Sequence, residues 1–183
     1  MKFYIFCKRS VLFSPVIIKP LSKENIEEAI RLLHSIFIED VRVGEEPASA
    51  LWASLEQQKH KDFYNKHDIK ELEYFVVMDE KTDSVIGTTG LYTRKHEPLN
   101  MVWLGWYCVA PKKRGERLGS EILQWTIDEA RKRGFKKMKL YTSDNPIEAV
   151  AQHVYEKFGF KLVGKERRSP NHNYTTLYRE RKI

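Results

Sequence analysis

The stretch from Val109 to Leu123, VAPKKRGERLGSEIL, places basic side chains and glycines immediately before a predicted helix. A helix N-terminus presents unpaired N–H groups and the positive end of the helix dipole. Gly115 and Gly119 would let a bulky anion approach the backbone, and Arg114 and Arg117 would add bidentate positive charge. Two interpretations are open at this point: a basic turn whose glycines serve packing, and a cradle for a diphosphate.

The spacing of this turn excludes two common classes of nucleotide site. It does not read GxxxxGKS or GxxxxGKT, so ATP or GTP in a P-loop is not indicated. It also lacks GxGxxG followed by an acidic residue about 20 positions later, which is the dinucleotide fingerprint. A phosphate bound here would therefore belong to another cofactor.

A second group of chemically useful residues follows the next predicted strand, in TSDNPIEAVAQHVYEKFGF. Asn145 precedes the predicted helix and Tyr155 lies within it. If two parallel strands part, both helix starts border the gap between them, and Tyr155 can point into that gap. The alternative for Tyr155 is a core aromatic.

The predicted elements bring these two groups to one edge of a sheet. Apolar periodicity gives the order β-α-α-β-β-β-α-β-α-β-β, an α/β chain with a mixed sheet. Strand 101–109, helix 118–133 and strand 136–142 form a βαβ unit, which should be right-handed and parallel. Ligands of open α/β sheets bind beyond the carboxyl ends of such strands, which is where the basic turn lies.

Local signals predict further boundaries. Ser22 is expected to cap the first helix, and Pro47 to begin a second helix that runs to about Asn65. Gly105 suggests a bulge or a close backbone approach within its strand. The helix of Tyr155 should end at Gly159 in a left-handed cap, with Ile147 and Val150 on its apolar face, and 174–181 is expected to form an exposed edge.

The two stretches VAPKKRGERLG and NPIEAVAQHVYEKFGF together resemble the signature motifs of the GNAT superfamily of N-acetyltransferases. The element order resembles that fold from about residue 15 to 181, which implies a splayed pair of parallel strands flanked by helices. The family's first motif, (Q/R)-x-x-G-x-(G/A), wraps the pyrophosphate of acetyl-CoA. Arg114 and Gly119 match its ends, and Arg117 replaces its central glycine. With a helical φ, Arg117 could still donate its backbone N–H, and we expect cofactor binding to survive.

The resemblance implies direct transfer of an acetyl group from acetyl-CoA, as cosubstrate, to a primary amine of a small molecule or a protein. Tyr155 would donate to the departing CoA thiolate, as the catalytic residue. A backbone N–H near the end of strand 101–109 would stabilise the oxyanion. The residues implied in binding acetyl-CoA are Cys108, Val109, Arg114, Gly115, Glu116, Arg117, Leu118, Gly119, Ser120 and Asn145.

The general base and the acceptor are not fixed by the sequence. Strand 101–109 has no carboxylate, so a water chain to Glu73, Asp79 or His96, or an amine that arrives neutral, are the alternatives. The acidic loop between the first two helices has two possible roles. It holds a cationic acceptor, or it is a solvated loop that caps the second helix. An aromatic acceptor pocket is a further alternative. The acidic residues are Glu39, Asp40, Glu45 and Glu46, and the aromatic ones are Trp103, Trp106 and Tyr107.

The composition sets the remaining expectations. The length of 183 residues predicts a single domain over 15–183, preceded by an extension or extra edge strand over 1–14. Cys7 and Cys108 have no CxxC spacing, so neither a disulfide framework nor a metal site is expected, and a cytoplasmic location fits best. The net charge of +7 favours anionic partners, but no nucleic-acid motif and no membrane segment is recognised. A homodimer, a non-catalytic acyl-CoA-binding domain and a basic nucleic-acid-binding module remain alternatives.

Overall fold

A computed structural model describes the backbone of residues 4–5 and the whole of residues 16–38, 46–167 and 174–183. The strands are β1 (Tyr4–Ile5), β2 (Val16–Pro20), β3 (Ile69–Asp79), β4 (Ser84–Arg94), β5 (Met101–Val109), β6 (Lys137–Ser143), β7 (Lys161–Glu166) and β8 (Thr176–Lys182). The α-helices are α1 (Ile26–Ile36), α2 (Pro47–Leu55), α3 (Lys61–Lys66), α4 (Leu118–Lys132) and α5 (Ala149–Lys157), and 3₁₀ helices span Gln57–Lys59, Pro111–Lys113 and Pro146–Glu148.

The described strands form one sheet in the order β1-β2-β3-β4-β5-β6-β8-β7. Only β5 and β6 are parallel neighbours; the other pairs are antiparallel. This mixed sheet with flanking helices confirms the predicted fold class. The prediction of an exposed edge at 174–181 is wrong. β8 lies between β6 and β7, and β7 is the edge strand.

The parallel pair β5–β6 separates along its length. Its Cα partners are Met101 with Lys137, Val102 with Met138 and Trp103 with Lys139, whereas β5 continues to Val109 and β6 to Ser143. Beyond these pairs, N–H and C=O groups that face the gap make no β5–β6 hydrogen bonds. Such backbone groups need other hydrogen-bond partners. The predicted splay is therefore present.

Helices cover both faces of the sheet. Tyr74, Val76 and Met78 of β3 pack with α1 and α2, and the alternate residues Phe75 and Val77 pack with α4. A strand buried on both faces reads as a continuous apolar run, which explains the stretch YFVVM. The α4 helix and α5 share a core on the second face with the ends of β5 and β6.

Three helix boundaries differ from the predictions. The first helix begins only at Ile26, because the Ser22 carbonyl accepts the Ile26 N–H at 3.0 Å after an intervening turn. The second helix is interrupted at Glu56, where a 3₁₀ turn separates α2 from α3. The α5 helix begins after a 3₁₀ turn, which leaves Ile147 and Val150 68% and 77% exposed and not in the core. The left-handed cap at Gly159, with φ +78°, is confirmed.

Candidate functional site

A bulge in β5 lies where the parallel strands part. The register against β4 shifts between Thr88–Cys108 and Gly90–Gly105, so β5 carries the extra residue. A Cβ on Gly105 would stand 2.7 Å from the Tyr74 hydroxyl, which confirms the predicted close approach. The Thr88 hydroxyl donates to the Trp106 carbonyl at 2.9 Å and holds the bulge in place.

Cys108 and Val109 lie just beyond the bulge and can offer mainly backbone groups to a ligand. The Cys108 thiol is buried among residues of the α1 face, 3.4 Å from the Thr88 hydroxyl. Burial raises the pKa of this thiol to about 11, so it is protonated at neutral pH. The Val109 carbonyl accepts from Nε of Arg114 at 3.3 Å, which ties the basic turn to the end of β5.

The basic turn reaches α4 through two residues with positive φ. Gly115 has φ +83°, and Arg117, the N-cap position of α4, has φ +62° and ψ 1°. The condition of a helical φ at Arg117 is not met, because the chain enters α4 through the left-handed region. A non-glycine residue there costs roughly 1–2 kcal/mol in backbone strain.

The first turn of α4 leaves no room for a side chain at residue 119. The Tyr107 hydroxyl donates to the Gly119 carbonyl at 2.7 Å, and a Cβ on Gly119 would lie 2.8 Å from that hydroxyl oxygen. Leu118 is buried in the core beneath α4, so its backbone alone is left for a ligand. Glu116 and Ser120 are half-buried beside it.

The four basic side chains of the turn are not equivalent. Nζ of Lys113 lies 2.6 Å from the carboxylate of Asp79, which is 1% exposed. The hydrogen bond from Lys113 lowers the pKa of Asp79. Arg114 contacts the Val109 carbonyl, whereas Lys112 and Arg117 extend from exposed positions.

Tyr155 lies on α5 behind the parted strands and is 6% exposed. Its ring centroid is 6.1 Å from that of Tyr107 and 6.0 Å from that of Phe160. Among the described residues its hydroxyl has no hydrogen-bond partner. Burial raises the pKa of Tyr155 well above its usual value; Tyr107 and Glu148 add to this rise, and the Arg179 guanidinium opposes it.

Polar contacts fix the start of α5 to the end of β6. Asn145 is buried, and its Oδ1 accepts the Ile147 N–H at 3.1 Å. Glu148 accepts the Ser143 N–H at 3.1 Å and the Ser143 hydroxyl at 2.5 Å, and also the Thr142 hydroxyl. Asn145 thus caps the turn through Oδ1, and of its side chain only the amide nitrogen Nδ2 is left for a ligand.

Three residues that support this site were missed by the sequence reasoning. Tyr74 and Thr88 hold the bulge, and the buried guanidinium of Arg179 donates to Glu156 at 2.9 Å and to Gln152 at 3.2 Å beside Tyr155. Gly105 gave the only sequence indication of the contact with Tyr74, since a glycine inside a strand indicates close approach by some other group. No local pattern distinguishes Thr88 or Arg179.

The suggested bases are engaged in ion pairs. Glu73 pairs with Arg133 at 2.5 Å, His96 contacts Asp68 at 2.6 Å, and Asp79 is the partner of Lys113. None of these contacts links a carboxylate or imidazole to Tyr155. Of these three residues, Asp79 alone contacts the basic turn, through Lys113, and it does so as an ion-pair partner.

The residues named in the acceptor hypotheses have structural roles where they are described. Glu46 accepts the Ala48 N–H at 2.9 Å and pairs with His34 at 2.8 Å, which is the capping role, while Glu39, Asp40 and Glu45 lie outside the described residues. The three aromatic residues all have packing partners: Trp103 is buried beside Tyr92, Trp106 packs on Phe37 with centroids 5.0 Å apart, and Tyr107 contacts Tyr155.

Two searches of the described residues were negative. No helix there is long and apolar enough to cross a membrane. No group of three or more His, Cys, Asp or Glu residues there is arranged to hold a metal ion.

The sequence profile of the Acetyltransferase (GNAT) family matches residues 33–160, and the chain belongs to that family. This stretch contains the basic turn, the bulge and Tyr155, so the family match and the candidate site coincide. The family consists of acetyltransferases, and the resemblance seen in the sequence is confirmed. No curated protein sequence matches the chain.

Solved structures of acetyltransferases share the fold. A GNAT-family acetyltransferase from Staphylococcus aureus Mu50 has a TM-score of 0.66 and 18% identity, covering 91% of this chain and 98% of its own. The ribosomal-protein-S18-alanine N-acetyltransferase from Escherichia coli has a TM-score of 0.63, 17% identity and coverages of 92% and 94%. A chimeric spermidine N-acetyltransferase from Vibrio cholerae has a TM-score of 0.64, 17% identity and coverages of 90% and 93%.

Proposed function

We propose that this protein transfers the acetyl group of acetyl-CoA directly to a primary amine. The observation that carries the proposal is the arrangement around the parted strands. The turn before α4, with its open backbone at Gly115, lies on one side, and Tyr155, which is 6% exposed, lies behind the gap. We treat residues 15–183 as the single domain that performs this reaction.

The cosubstrate fits the chemistry of the turn. Amides at the start of α4, together with Lys112, Arg114 and Arg117, would hold its pyrophosphate, since a helix N-terminus and arginine side chains both favour phosphate. Backbone groups of Cys108 and Val109 would bind the pantetheine arm, as would the amide nitrogen of Asn145. The remaining proposed contacts come from the backbone of Gly115, Glu116, Leu118, Gly119 and Ser120.

Acetyl-CoA supplies a thioester, and attack by the amine nitrogen on its carbonyl carbon forms the amide while the C–S bond breaks. A β5 backbone N–H at the bulge would stabilise the oxyanion, a type of contact worth about 3–4 kcal/mol. Tyr155 would donate a hydrogen bond to the leaving sulfur. Because burial raises its pKa above that of a thiol, it acts as a donor and does not give up its proton fully. The proton lost by the amine passes to solvent.

Calorimetric titration with acetyl-CoA tests the proposal, with Arg114→Ala and Gly119→Asp as variants and Arg31→Ala, on the exposed face of α1, as the control. We expect micromolar binding that both site variants lose and the control retains, followed by turnover of amines. No binding by the native chain would leave the turn as a basic turn only.

A non-catalytic acyl-CoA-binding domain is the second candidate. It is favoured by the absence of any carboxylate from β5 and by the ion pairs that engage Glu73 and Asp79. Acetyl-CoA binding without turnover of any amine would support this candidate, and turnover of one amine would exclude it.

A further inference from the structure

Arg94, at the end of β4, has no anionic partner within residues 16–38, 46–167 and 174–183. Its guanidinium stacks on Trp103, with Cζ 4.4 Å from the ring centroid, and lies 5.9 Å from that of Tyr92. Its Nε is buried and makes no hydrogen bond. Among the described residues Arg94 forms no ion pair, and its side chain as a whole is half-buried.

The surroundings of Arg94 hold it in place without neutralising it. Glu97, the acidic side chain that contacts Trp103, accepts from Nζ of Lys139 at 2.9 Å and from Nε1 of Trp103. Lys139 itself lies over the same Trp103 ring at 5.3 Å. The Lys139 charge is therefore compensated and the Arg94 charge is not. The buried Nε, which has no hydrogen-bond partner, carries a desolvation cost that a bound anion would relieve.

Arg94 lies on the face of the sheet from which an amine must arrive. Trp103 and Tyr92 pack with Ala53 of α2 and Tyr64 of α3, opposite the face covered by α4 and α5. The phosphate-binding turn leads into α4, so a cosubstrate held there occupies the α4–α5 side of the gap. An amine that attacks the same carbonyl group then approaches from the α1–α3 side.

The register gives the separation between Arg94 and the bulge. Trp103, on which Arg94 stacks, is three residues before Trp106 on β5, and strands rise about 3.3 Å per residue, which gives roughly 10 Å. A group bound by Arg94 and an amine at the bulge would thus be about 10 Å apart. A tripeptide in extended conformation has this distance between its amino and carboxyl groups.

We propose that Arg94 binds a carboxylate of the acceptor, and that the acceptor is an amine with a carboxylate about 10 Å away. A single uncompensated guanidinium suits a monoanion better than a dianionic phosphate monoester, and its planar fork matches a carboxylate. This inference rests on the proposed acetyltransferase function. It also differs from the hypothesis of a cationic acceptor held by the acidic loop.

The test uses a matched pair of acceptors, triglycine and triglycinamide, which differ in the terminal carboxylate. We expect kcat/KM for triglycine to exceed that for triglycinamide by about tenfold or more, because hydrogen bonds to charged groups are the strong ones. Arg94→Met keeps an apolar stem over Trp103 and should reduce the ratio to near one, and Arg94→Lys should retain part of it. Arg31→Met makes the same change on the exposed face of α1 and should leave the ratio unaltered.

A binding measurement separates this proposal from the function on which it rests. Calorimetry in the presence of CoA compares N-acetyltriglycine with N-acetyltriglycinamide, the two products, and needs no turnover. Tighter binding of the acid, lost in Arg94→Met at unchanged affinity for CoA, supports the proposal. Equal affinities, or no binding of either product at millimolar concentration, overturn it. Failure to bind acetyl-CoA at all would instead overturn the proposed function.

Discussion

The Tyr107 hydroxyl donates a hydrogen bond of 2.7 Å to the Gly119 carbonyl and so joins the end of β5 to the first turn of α4. This contact couples the two parts of the proposed acetyl-CoA site. It also explains the glycine, because a Cβ at residue 119 would meet the same hydroxyl at 2.8 Å. The glycine is thus required by packing as well as by any bound phosphate.

Gly119→Ala should destabilise the protein by roughly 1–3 kcal/mol, as overpacking commonly does, and weaken acetyl-CoA binding. Denaturant unfolding and calorimetry measure the two effects. The control is the same substitution in a Tyr107→Phe background, where the clashing oxygen is gone and the cost to stability should be smaller. Equal costs in both backgrounds would show that the Tyr107 hydroxyl does not impose the glycine.

Arg117→Gly should stabilise the protein relative to Arg117→Ala by roughly 1 kcal/mol, since both variants lose the side chain and only glycine tolerates the positive φ without strain. Both should bind acetyl-CoA more weakly than the native chain at low salt, because a phosphate contact is lost. Unfolding curves and salt-dependent titrations measure these effects. An alanine variant at least as stable as the glycine variant would contradict the backbone strain.

Much of the fold follows from local patterns, and the supporting contacts of the site do not. Period-two and period-3.6 patterns locate the strands and α4, and Gly105 correctly indicates a close approach. The partner of Gly105, however, is Tyr74, which only the β3–β4–β5 register brings there. Ile147 and Val150 fit a helical stripe but are exposed: Ile147 lies in the turn capped by Asn145, and Val150 lies on an uncovered part of the first turn of α5.

The same distinction holds within the basic turn. Its composition indicates positive charge but cannot show that Asp79, at the end of β3, binds Lys113 and leaves Lys112 exposed. Arg117 is not a glycine, so its residue type does not indicate a positive φ. The positive φ follows only from the path of the chain into α4. Long-range pairing and backbone geometry, unlike periodicity, are not encoded in short windows of sequence.

Lys113→Met should destabilise the turn, whereas Lys112→Met should only weaken acetyl-CoA binding at low salt. The reason is that Lys113 lies against buried Asp79 and Lys112 does not. Thermal unfolding and calorimetry at two salt concentrations distinguish the two variants. Identical behaviour would contradict the separate roles that their contacts indicate.

Asp79 should also contribute to acid unfolding. Its pKa in the folded chain is lowered from 3.8, first by the Lys113 hydrogen bond and then by the Lys81 backbone N–H. A lowered folded pKa gives stability that is present above pH 3.8 and is lost as the pH falls through the folded value. Asp79→Asn should therefore flatten the dependence of unfolding free energy on pH below 3.8. An unchanged slope in acid titrations followed by circular dichroism would exclude this contribution.

Tyr155→Phe should reduce kcat by about ten- to a hundredfold at unchanged affinity for acetyl-CoA, because it removes a hydrogen bond to the charged leaving sulfur and little packing. Burial raises the pKa of Tyr155, so the donor stays protonated through the neutral and mildly alkaline range. Activity of the native chain should therefore not decline between pH 7 and the usual tyrosine pKa of about 10 through loss of this proton. Initial rates across this range, with Tyr178→Phe as a control on β8, measure both effects. A kcat unaffected by Tyr155→Phe would exclude the residue from the reaction. A decline in activity below pH 9 that this variant abolishes would show that Tyr155 ionises in that range, which burial should prevent.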